Sequence, residues 1–162
     1  MIERIVRAIR LDWTVFREIA QDPKAMQESA IIVAIATFLS AVGIGLFKLS
    51  FGSFILDWLI AILMCWLGWA VITYLVGTSI FKGDSNIPEM MLVLGYANAP
   101  HLLGLFAFVP CVGWLFPIAG WILALVAGVL AVREAMELDK GNAIVTVVLC
   151  WIIAFAIRSF FW

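Results

Sequence analysis

Residues 29–47 contain no charged side chain, and neither do residues 113–132. A hydrocarbon core of about 30 Å is crossed by roughly 20 apolar helical residues, so each run is long enough to span a bilayer. Three further stretches approach this pattern: Phe54–Ile80, whose only charge is Asp57; Glu89–Val109, charged only at its first residue; and Ala143–Phe161, with Arg158 near its end. The short links between them, Lys48–Ser53, Phe81–Pro88, Pro110–Val112 and Arg133–Asn142, make consecutive spans antiparallel neighbours. Of the 162 residues, 65% are hydrophobic and 13% charged. A soluble domain of this size keeps too much surface to hide so much apolar side chain. The expected fold is therefore an all-α membrane protein, a bundle of five transmembrane helices in a single domain over 1–162.

An N-terminal amphipathic helix over residues 1–22 is expected to precede the bundle. Ile2, Ile5, Val6, Ile9, Trp13, Phe16 and Ala20 follow the spacing of one helical face, and Arg4, Arg7, Arg10, Thr14, Arg17 and Glu18 fall opposite. An apolar face bearing Trp13 and Phe16, opposed by arginines, suits a helix lying at the headgroup level of a bilayer. The same face can instead pack on the protein's own spans, and the pattern leaves both open. Neither a cleaved signal nor a transit peptide is expected: arginines continue through Arg10 and Arg17, acidic residues are interspersed and serine is missing. Asp22-Pro23 punctuates the chain, so the next helix is expected to start at Pro23.

Lysine and arginine distribution sets orientation. With the N-terminus inside, Arg4, Arg7, Arg10, Arg17, Lys24, Lys82, Arg133 and Lys140 are cytoplasmic, against Lys48 and Arg158 outside. This predicts a cytoplasmic N-terminus and an external C-terminus, whose Phe160-Phe161-Trp162 suits an interfacial aromatic belt.

Few residues can carry chemistry. A formal net charge of -1 argues against nucleic acid as a partner. Cys65, Cys111 and Cys150 are too far apart for a zinc cluster or a disulfide framework. His101 is the only histidine, so neither a metal site nor a Ser-His or Cys-His catalytic set is expected, and no cofactor is implied. Asp57 lies near the outer face, where pairing with Lys48 fixes depth; as an alternative it marks an ion entry point. The loop residues Asp84, Glu89, Glu134, Glu137 and Asp139 read as solvated helix ends.

The third stretch holds Gly95-Tyr96-Ala97-Asn98-Ala99-Pro100-His101. Pro100 has no N–H, so the Tyr96 carbonyl loses its helical partner and the helix must break or kink. Asn98 and His101 stand three apart beside that break. Tyr96, Asn98, Pro100 and His101 are thus the candidate polar site, either a hydrogen-bonded knot between helices or the lining of a small permeation path. Gly120, Ala124 and Gly128 form a small-residue ladder in the fourth stretch, and Gly95 with Ala99 a shorter one in the third. They are expected to pack these two spans as a hairpin, with a homodimer contact as the alternative.

These residues resemble the Yip1-domain family of small multi-span membrane proteins. Phe16-Arg17-Glu18-Ile19-Ala20-Gln21-Asp22-Pro23 is similar to the f-x-E-I-x-x-D-P lead-in of prokaryotic members, and Gly95-Tyr96-Ala97-Asn98-Ala99-Pro100 to the family's G-Y-x-x-x-P signature. The resemblance implies a five-helix membrane domain; the paucity of reactive groups, together with the amphipathic N-terminal helix, points to a non-enzymatic structural or interaction role. Eukaryotic relatives bind Rab-type GTPases through a cytoplasmic N-terminal region, but their D-L-Y-G-P motif is missing here. The resemblance therefore implies a prokaryotic-type protein of the cytoplasmic membrane without a Rab partner. The expected partners are lipid and other membrane proteins, homo-oligomers included; the alternative is a small transporter or channel using the broken third span.

Overall fold

The computed structural model describes residues 2–45, 55, 58–60, 62–108, 113 and 115–161. All elements among them are helical: α1 (Ile2–Ile9), α2 (Trp13–Ala20), α3 (Ala25–Gly45), a π-helical segment (Leu63–Gly68) running into α4 (Trp69–Phe81), α5 (Ile87–Ala97) continuing as a 3-10 segment (Ala99–Phe108), α6 (Leu115–Ala135) and α7 (Lys140–Phe161). Asp57, Lys48, Cys111 and the Pro110–Val112 link lie outside the described residues, as do the side chains of Cys65 and Arg158.

Instead of one N-terminal helix there are two. Leu11 takes a left-handed conformation, φ 60°, and Asp12 then caps α2 by accepting from the Thr14 N–H at 3.0 Å. A capping carboxylate satisfies a helix-start donor locally, and here it ends the 3.6-residue period that the apolar pattern implied. Asp22 likewise accepts from the Lys24 N–H at 3.1 Å, and α3 begins two residues after Pro23.

Helix α6 packs against the 3-10 segment, α5, α2 and α7. Its inner face is built of small residues: Gly120, Ala124, Ala127, Gly128, Ala131 and Ala135 are all buried. Its outer face is apolar and open, with Ile118 49%, Ile122 50% and Val126 42% exposed. Among the described residues α6 is the one helix both long and apolar enough to cross a membrane, and most of it is not covered by protein. Exposed aliphatic side chains continue around the molecule on α3 (Ile31, Ile35), α4 (Leu75, Ile80) and α7 (Val148, Ile152). An apolar belt of this extent has no stable contact with water. Hydrocarbon is the solvent that fits it.

The glycines report which helices touch. A Cβ built on Gly120 falls 2.7 Å from the Pro100 carbonyl oxygen, so α6 does meet the third stretch there. A Cβ on Gly95 meets Ser29 of α3 at 2.5 Å, and one on Gly128 meets the Trp69 ring at 3.3 Å. The expected pairing of Gly95 with the fourth span is therefore wrong: Gly95 receives α3 and Gly128 receives α4. Close approach needs a small residue, but nothing in a small residue names its neighbour.

Candidate functional site

The break in the third stretch forms as the missing Pro100 donor requires, and it is closed. At Asn98 the backbone passes from α to 3-10 geometry, with Asn98 N–H bonded to the Gly95 carbonyl at 3.2 Å and His101 N–H to the Asn98 carbonyl at 3.0 Å. Shifting to i→i−3 bonds absorbs a proline that an α-helix cannot. The Asn98 amide donates back to the Leu94 carbonyl at 2.8 Å, within its own turn. Ala99 and Pro100 are buried, His101 is half-buried and the Gly120 backbone lies against Pro100. The side chains of Asn98 and His101 therefore flank a tight helix contact.

Tyr96 is fully buried, and its hydroxyl donates to the Glu28 carboxylate at the start of α3. Arg4 of α1 approaches the same carboxylate at 3.7 Å and bonds Glu18 and Asp22 at 2.9 Å each. Arg7 bonds Asp12 at 2.9 Å, Glu18 at 3.0 Å and the Thr14 hydroxyl at 2.9 Å. Arg4 and Arg7, expected at the membrane interface, are paired with carboxylates of the chain itself. Phe16, expected at the membrane interface, is completely buried together with Val15 and Ile19. Glu3, Arg10, Thr14, Arg17 and Glu18 are exposed, and so are the apolar Ile2, Val6 and Trp13. Matched carboxylates at Asp12, Glu18, Asp22 and Glu28 rotate α1 so that its arginines are paired. Glu28 sits four residues before Ile32, on the core-facing side of α3, and that spacing is the signal that could have revealed it.

Thr14 and then Arg7 hold the Asp12 carboxyl below the usual range; Arg7 and Arg4 do the same for Glu18, and Arg4 with the Lys24 N–H for Asp22. A carboxylate whose folded value is depressed stabilises the fold above its unfolded value, and that contribution disappears as pH falls through the folded value. Docking of the α1–α2 pair is accordingly expected to be constant from about pH 5 to 8 and to weaken below about pH 4. Protease cleavage at Arg10, followed as a function of pH in detergent, checks this; cleavage that rises on going from pH 6 to 8 contradicts it.

A second cluster joins α2 to the end of α6. Glu134, expected to be a solvated helix end, has a side chain only 2% exposed. Arg133 donates to its Oε1 from Nε, at 2.8 Å, and from a terminal nitrogen. Arg17 places Nη2 2.9 Å from Oε2 without hydrogen-bond alignment. Trp13 lies under both guanidiniums, with Arg17 Cζ 5.5 Å and Arg133 Cζ 5.7 Å from the ring centroid. Burial follows from position: Glu134 continues the inner face of α6 after Ala127 and Ala131, where α2 docks. The run Ala127, Ala131, Glu134 is at helical spacing and was readable as one face.

Among the described residues no group of histidine, cysteine, aspartate and glutamate side chains is arranged to hold a metal ion. Apart from Glu134 Oε2, which has no aligned donor, the charged side chains of both clusters are engaged with one another, and the arrangement holds helices together. No curated protein and no solved structure matches the chain. A family model described as the Yip1 domain matches residues 14–160, from the start of α2 almost to the C-terminus. The arginine-clamped lead-in, the buried Tyr96 and the closed break at Pro100 all lie within that match, and the chain belongs to the Yip1 domain family.

Proposed function

We propose that this membrane protein crosses the bilayer five times, with its N-terminus in the cytoplasm, and acts by binding membrane proteins or lipid. The observation that carries the interaction reading is the closed third-stretch break. Where a permeation path needs polar side chains along a cavity, Asn98 bonds its own helix and Pro100 is packed on Gly120. The cytoplasmic placement of the N-terminus rests on the lysine and arginine distribution, eight charges against two. A prokaryotic cytoplasmic membrane is the proposed location.

The test has two arms. In sealed inside-out vesicles a tag at the N-terminus is expected to be accessible to protease and one at the C-terminus protected; both accessible from one side overturns the odd number of crossings. In liposomes the wild-type protein is expected to pass no ions or small solutes. Flux that is present and then lost in Asn98→Ala or His101→Ala establishes transport instead.

A further inference from the structure

On α6 the residues Leu115, Ile118, Ile122 and Val126 form one outward stripe, with Val129 half-buried after them and Arg133 next at the same spacing. Arg133 lies seven residues beyond Val126, about 10 Å further along the axis on the same face. In the bilayer reading proposed above, the point where the stripe gives way to Arg133 falls at the depth of lipid phosphates. Trp13, 44% exposed, and Arg17 are brought to the same point by α2. Arginine forks match phosphate oxygens, and an indole suits the boundary between hydrocarbon and headgroups.

We infer that Trp13, Arg17 and Arg133 form a headgroup site for a zwitterionic phospholipid, with the phosphate on the exposed Arg17 guanidinium and on the Arg133 nitrogen not given to Glu134, and the acyl chains along Ile118, Ile122 and Val126. Glu134 is the positioning residue. Buried behind the arginines, it orients Arg133 through direct hydrogen bonds and offsets one of the two charges. The remaining single positive charge balances the single negative charge of one phosphodiester. Arg17 also edges an open pocket of about 500 Å³ that bears Asp84, Glu89 and Glu137. Those carboxylates repel a headgroup of net negative charge and accommodate an amine, which favours ethanolamine over glycerol headgroups.

The site rests on the bilayer reading above, and the experiment separates the two. The full-length protein in detergent is titrated with phosphatidylethanolamine, phosphatidylglycerol or inorganic phosphate, and bound molecules are counted by native mass spectrometry. Wild type is expected to bind phosphatidylethanolamine at least as tightly as phosphatidylglycerol, and inorganic phosphate not at all. Arg17→Gln/Arg133→Gln/Glu134→Gln leaves no unpaired buried carboxylate and is expected to weaken phosphatidylethanolamine binding at least tenfold. Trp13→Ala, which exposes no charge, is expected to weaken it several-fold and serves if the triple variant does not fold. Binding within twofold of wild type in a folded variant overturns the site. A tenfold preference for phosphatidylglycerol, or equal competition by inorganic phosphate, overturns it too. Release of the wild-type chain from membranes by alkaline washing overturns instead the bilayer reading on which the site depends.

Discussion

Gly95→Leu is expected to lower stability by more than about 3 kcal/mol, a fall of roughly 6–12 °C in Tm for a chain of this size. Even the first added carbon would lie 2.5 Å from Ser29 Cβ, 3.0 Å from its Oγ and 3.2 Å from its Cα. The last of these is backbone, so no rotamer change relieves the contact and α3 must move off α5. That movement also breaks the bond from Ser29 Oγ to the Leu92 carbonyl, 2.8 Å and fully buried, which contributes about 1 kcal/mol by itself. Gly120→Leu is expected to behave similarly, because its clash is with the Pro100 carbonyl. Gly68 is the control: a Cβ there meets nothing within 4 Å, so Gly68→Ala is expected to be neutral or stabilising by up to about 1 kcal/mol. Thermal unfolding of the three variants in one detergent decides. A Gly95→Leu protein melting within about 2 °C of wild type would mean that α3 and α5 do not cross at this glycine.

These glycines also mark how far the sequence could be read. That Gly95, Gly120 and Gly128 are contact points follows from their size, but each partner is fixed by how whole helices are arranged, which no local pattern encodes. The break at Pro100 was legible because a missing donor is a property of one residue. Its closure was not, since that depends on Gly120 arriving from another helix. The apolar runs located helices α6 and α7 within three residues of their limits, because a long apolar run between polar links is a local property of the sequence. At the N-terminus the apolar period implied one helix and left open whether its face met lipid or the protein's own spans. There a capping Asp12 divided the segment in two, and the burial of Val15, Phe16 and Ile19 shows that part of the face packs on the protein itself. Glu134 shows the same limit: a carboxylate at a helix end is ordinarily solvated, and only the docking of a helix more than a hundred residues earlier in the chain buries it.

Removing both arginines from Glu134 is the other substitution with a large expected effect. A carboxylate 98% covered and stripped of its cations is an uncompensated buried charge, and Arg17→Ala/Arg133→Ala is expected to cost about 3–5 kcal/mol. Arg17→Ala alone should cost much less, because this side chain is 61% exposed and the Arg133 hydrogen bonds remain. The decisive variant adds Glu134→Leu to the double one. With the charge gone, α2 docks on an apolar surface continuous with Ala127 and Ala131, and most of the lost stability is expected to return. If the triple variant is no more stable than the double, the loss came from arginine packing on Trp13 and not from the carboxylate. Full recovery would show that stability alone does not require this ion cluster. A cluster that an apolar residue replaces at no cost to the fold leaves its two guanidiniums free for the headgroup binding proposed above.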